Sequence, residues 1–77
     1  MPELPHLSGR EAVKVFEKLG FAVVRQKGSH VVLRRGDKGC VIPLHSELAI
    51  GTLRSAIKQA GITPELFIEA VSGKKSG

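Results

Sequence analysis

Three histidines, one cysteine and an excess of cations are the reactive groups of this chain. Only one histidine has a direction set by its neighbours. In Gly28-Ser29-His30 the glycine permits a tight turn, and His30 enters the strand that follows. Side chains alternate along a strand, so Val31 and Leu33 share one face while His30, Val32 and Arg34 share the other. If helices cover only the Val31 side, His30 stands open to solvent, with Arg34 on the same face. Histidine gives and takes protons near neutral pH. RNA carries its own nucleophile, the 2′-hydroxyl, and cutting it requires a proton removed there and one delivered to the leaving oxygen. His30, with Lys27, Arg34 or Arg35 to stabilise the charged transition state, is a minimal set for that chemistry and needs no metal. On spacing alone, a surface histidine bonded to a neighbour is the commoner outcome.

His45 follows a short apolar run in Pro43-Leu44-His45-Ser46. It reads as a second proton donor, as a phosphate contact, or as a loop histidine holding its own backbone. His6 has no assignable role. His30, Cys40 and His45 match no zinc spacing, and no carboxylate is placed to complete a site, so neither metal nor cofactor is expected. One cysteine cannot form an internal disulfide. Together with the lack of a long apolar stretch or a signal-peptide core, it points to a cytoplasmic protein with no membrane partner.

Twelve Lys and Arg face seven Asp and Glu, a net charge of +5. That excess on so small a chain favours a polyanion. Arg25, Arg34, Arg35 and Lys38 in the strand region, with Arg54 and Lys58 four residues apart on a helix, form a candidate backbone-tracking stripe. Any one of them alone is better read as solvated surface charge. With no Trp or Tyr and three Phe, a base-stacking platform is not expected.

The elements that position these groups follow from punctuation. Residues 1–7, with two prolines, form a lead-in. Ser8 and Glu11 make a capping box, Ala12, Val13, Phe16 and Leu19 line one helical face, and Gly20 stops the helix. Phe21 to Gln26, His30 to Arg35 and Cys40 to Pro43 read as strands. Lys27-Gly28-Ser29 and Gly36-Asp37-Lys38-Gly39 are the turns between them. Such short connections make the strands antiparallel. After a loop over Leu44–Ala49, a second helix runs from about Ile50 to Ala60, with Leu53 and Ile57 facing the core and Gly61 as its stop. Thr63-Pro64 starts a third, whose apolar side is Leu66, Phe67, Ala70 and Val71. Residues 72–77 are expected to be a disordered tail. The reading is one α+β domain over 1–77, in the order α-β-β-β-α with an extra short helix. It is a two-layer fold with a three-stranded antiparallel sheet and helices on one face.

Five segments in this order resemble one known family: Leu19-Gly20-Phe21, Lys27-Gly28-Ser29-His30, Ile42-Pro43-Leu44-His45, Gly51-Thr52-Leu53-Arg54-Ser55-Ala56-Ile57 and Gln59-Ala60-Gly61-Ile62-Thr63. They are similar to the HicA (YcfA-type) toxins of HicA–HicB toxin–antitoxin pairs, from about Leu7 to Val71. The resemblance implies a double-stranded-RNA-binding-domain-like fold. It implies an mRNA interferase, a metal-independent endoribonuclease that blocks translation by cutting mRNA. Its catalytic residue falls on His30, after the Gly28 turn. Apart from the resemblance, the candidates for RNA contact or transition-state support are Lys27, Ser29, Arg34, Arg35, His45, Arg54 and Lys58. The resemblance also implies a HicB-like antitoxin that covers the site, and contact with operator DNA only through that complex. The chain departs from the double-stranded-RNA-binding domains at Gly51-Thr52-Leu53-Arg54, where those carry a lysine cluster. It departs from many HicA relatives at Val31-Val32, where a second polar residue or histidine is common. The competing readings are a non-catalytic RNA-binding module of the same fold and an interaction protein whose basic face docks an acidic partner.

Overall fold

A computed structural model describes residues 3–73. The elements run α1 (Gly9–Lys18), β1 (Ala22–Lys27), β2 (His30–Arg35), β3 (Lys38–Pro43), α2 (Ile50–Ala60) and α3 (Pro64–Val71). The strands form one antiparallel sheet in the order β1-β2-β3. Val31, Leu33, Cys40 and Ile42 are buried toward the helices, while His30, Arg34 and Val41 are exposed. This is the α+β, double-stranded-RNA-binding-like layout that the sequence predicts.

The helix boundaries sit where the local chemistry sets them. Ser8 Oγ accepts from the Glu11 backbone N–H at 3.1 Å and the Glu11 carboxylate accepts from the Ser8 N–H at 2.9 Å, the reciprocal capping box. Thr63 caps α3 by accepting from the Leu66 N–H, with Pro64 in the first turn. Gly61 closes α2 in the left-handed region at φ 74°.

Seven large side chains are fully buried: Phe16, Phe67, Leu33, Ile42, Leu48, Leu53 and Ile57. At roughly 1.5–3 kcal/mol each, they outweigh every cap and surface charge in holding the layers together. Phe16 is the hub, with its ring 5.4 Å from Phe21 and 5.2 Å from Phe67 between centroids.

Several expectations are corrected. The lead-in is not merely a lead-in: Leu4 is buried, and the Leu7 carbonyl accepts from the Leu48 N–H at 2.7 Å. Val15 joins the α1 core, and Leu66 on α3 is exposed, whereas Phe67 is the buried residue of that helix and its ring packs on Phe16. β3 begins at Lys38 rather than Cys40, since Gly36-Asp37 makes a two-residue turn and Arg35 pairs with Lys38. β1 does not alternate; all six of its residues are exposed. It is an edge strand, and a bulge at Val24 breaks its register between Val23 and Arg25. Ser72 caps the end of α3, the Gly73 N–H donates to the Ala70 carbonyl at 3.2 Å, and residues 74–77 lie outside the described residues.

Candidate functional site

Lys27 and His30 face each other across a two-residue turn, Gly28-Ser29, with Gly28 at φ 59°. A positive φ at the first turn position suits glycine and matches the twist of the strands it joins. On its other side His30 pairs with Pro43. Carried one residue further, the Leu44 N–H donates to the Ser29 carbonyl at 2.6 Å. The Gly9 N–H at the start of α1 then donates to the His45 carbonyl at 2.9 Å. Gly9 is required at that spot, because a Cβ would run into the Pro43 carbonyl oxygen. Lys27, Ser29, His30 and His45, all exposed, are thus gathered at one corner of the sheet by fixed backbone.

Residues opposite each other in a ladder share a face. Arg25 lies opposite Val32 and Lys27 opposite His30, so the bulge at Val24 turns Arg25 and Lys27 onto the open face with His30. Strict alternation from Val23 would have placed both on the helix side. The adjacent pair Val23-Val24 is the only trace of the bulge in the sequence. Val23 and Gln26 lie instead over a groove beside α1 that Val13, Val31 and Leu44 also line.

The remaining candidates are not brought to this corner. Arg34 shares the open face but stands four residues along β2, roughly 13 Å away. It lies opposite Gly39. Arg35 is committed to the fold: its Nη1 donates to the Leu19 carbonyl at 2.7 Å, and its guanidinium lies 5.1 Å from the centre of the Phe21 ring. Arg54 and Lys58 are exposed on α2, within the helical layer that covers the other face of the sheet.

The three strands and α2 contain no Asp or Glu. The open face therefore carries Arg25, Lys27 and Arg34 with no acid on its strands, around the exposed Val24 and Val41. Cys40 faces the core, where burial pushes its thiol up to about 11, so it is no nucleophile at neutral pH. His6 sits 3.3 Å from Glu47 in an exposed pair worth little to stability. Among the described residues, no three His, Cys, Asp or Glu side chains gather as a metal-binding group. Among those same residues, no helix is long and apolar enough to cross a membrane.

The fold and its face define a class: a small α+β domain of double-stranded-RNA-binding-like layout, with one cationic, uncovered sheet face. The chain matches the family model described as the HicA toxin of bacterial toxin–antitoxin systems over residues 9–62, and it belongs to that family. No curated protein matches the chain. The family places it in a toxin–antitoxin pair, so an antitoxin is the kind of partner it has.

Proposed function

We propose that this toxin is an mRNA interferase, an endoribonuclease that cuts mRNA and stops translation in the cytoplasm, with His30 as its proton-transfer residue. The observation that carries the reading is His30 itself: exposed, at the mouth of the Gly28-Ser29 turn, paired with Lys27 on a face without acids. A phosphodiester laid against that corner has an imidazole for the 2′-hydroxyl proton and an ammonium for the charge that builds on the phosphate. Ser29 adds a hydroxyl to the same corner, and Arg25 and Arg34 extend the cationic track for the RNA backbone. Arg54 and Lys58 fit a second, weaker contact on the helical layer.

The antitoxin, a HicB-like protein, neutralises by covering the open face, and carboxylates on it meet Arg25, Lys27 and Arg34. Operator DNA is reached only through that complex.

The test compares wild type with His30→Ala, in cells and as purified protein. The variant should fold and bind the antitoxin, since His30 is exposed and contributes nothing to the core. It should lose roughly 10²–10⁴-fold in RNA cleavage and no longer arrest growth. Wild-type activity should survive a chelator. Cleavage by the variant at the wild-type rate removes His30 from the reaction. Binding without cleavage by wild type supports the non-catalytic RNA-binding module instead.

A further inference from the structure

Resting on the ribonuclease reading, we propose that His45 is the second proton-transfer residue. It delivers a proton to the leaving 5′-oxygen while His30 takes one from the 2′-hydroxyl.

The chemistry calls for two groups. In an in-line displacement the entering and leaving oxygens lie on opposite sides of the phosphorus. A base within hydrogen-bond reach of one, roughly 3 Å, cannot reach the other at the same moment. As O2′ attacks, its proton passes to the His30 imidazole and the O2′–P bond forms. As the P–O5′ bond breaks, O5′ takes a proton from the His45 imidazolium. The products are a 2′,3′-cyclic phosphate and a 5′-hydroxyl. Neither metal nor water is consumed.

The backbone around the corner fits this division. His30 is flanked by Lys27 on the β1 side and by Pro43, Leu44 and His45 on the β3 side. The Leu44–Ser29 bond carries the β3 path one residue past its last pair. Ile42 is buried and Leu44 packs partly buried against the core. His45, one residue past Leu44 and just beyond the end of β3, is exposed at the same end of the sheet as His30. Lys27, on the far flank, is then left for the non-bridging oxygens. The position of His45 is also fixed rather than loose, because its carbonyl is held by the Gly9 N–H and Gly9 has no space for a side chain. The exposed His6–Glu47 pair is the nearest competing use of a histidine in this loop, and it involves His6 and not His45.

The experiment uses full-length wild type, His30→Ala and His45→Ala on two matched oligoribonucleotides. One is ordinary RNA; the other carries sulfur in place of the bridging 5′-oxygen at the cut position. A thiolate leaves without a proton, so this substrate bypasses the general acid and not the base. His45→Ala should lose 10²-fold or more on ordinary RNA and return to within a few-fold of wild type on the sulfur substrate. His30→Ala should fail on both. Antitoxin binding by each variant confirms that the fold survives. The proposal is overturned if His45→Ala cuts ordinary RNA at the wild-type rate. It is overturned equally if the sulfur substrate does not restore it, or if that substrate restores His30→Ala instead. Failure of the wild type itself to cut either RNA overturns the ribonuclease reading, and is seen before any variant is compared.

Discussion

Residues of the same type meet different fates here, and environment decides each. His30 and His45 sit exposed at one corner of the sheet, whereas His6 leans on Glu47. Arg35 has the same side chain as Arg34 but spends its guanidinium on Leu19 and Phe21, so it ties the end of α1 to the sheet. The thiol of Cys40, 3% exposed, is shielded by the core. Its ordinary value of 9.0 is raised to about 11 by desolvation. Two outcomes follow for Cys40. Iodoacetamide at pH 8 should label the native protein slowly and the urea-unfolded protein readily. Stability should also fall as pH rises from 9.0 toward about 11, because the unfolded chain loses this proton first and the folded one keeps it. Titrating urea midpoints across that range for wild type and Cys40→Ala checks this; equal slopes would refute it.

Helix boundaries were legible because capping is local chemistry: Ser8, Glu11, Gly61, Thr63 and Pro64 each act within one turn of the chain. β2 was legible because the middle strand has both neighbours, and its inward set, Val31 and Leu33, obeys a strict period of two. β1 was not, because an edge strand is under less obligation to alternate and the bulge at Val24 resets its parity. The site was half legible. The turn gave His30 and Lys27, but the approach of Gly9 to Pro43 and Leu44 is a tertiary event with no local signature. That approach predicts the behaviour of one variant. Gly9→Ala pushes a methyl group into the Pro43 carbonyl oxygen, so α1 and the 43–45 segment must separate. The cost should be about 1–3 kcal/mol by urea denaturation, with RNA cleavage reduced in the folded fraction. Unchanged stability would mean that the two segments do not press on each other.

At the scale of the molecule, the acids are confined to certain elements. Glu11 and Glu17 lie on α1 and Glu65 and Glu69 on α3, whereas the sheet and α2 hold cations alone. On the proposed function, a single-stranded RNA across the open face would meet Arg25, Lys27 and Arg34. Three neutralised phosphates give a log–log dependence of affinity on salt with a slope of about −2, at roughly −0.7 per contact. Arg25→Gln should flatten that slope by about 0.7. Fluorescence anisotropy of a labelled oligonucleotide with the cleavage-dead His30→Ala protein measures both. A slope that Arg25→Gln leaves unchanged would take Arg25 off the RNA path, and with it the role given to the bulge.

The family match ends at residue 62, yet Phe67 beyond it is fully buried against Phe16 near the other end of the chain. The ribosome makes α1 early and α3 after every other described element. Until α3 has emerged, the α1 face that takes Phe67 has nothing to close on. The nascent chain therefore cannot complete its core while the codons for α3 are still being read. The core of this toxin thus closes only after its message has been translated through that helix.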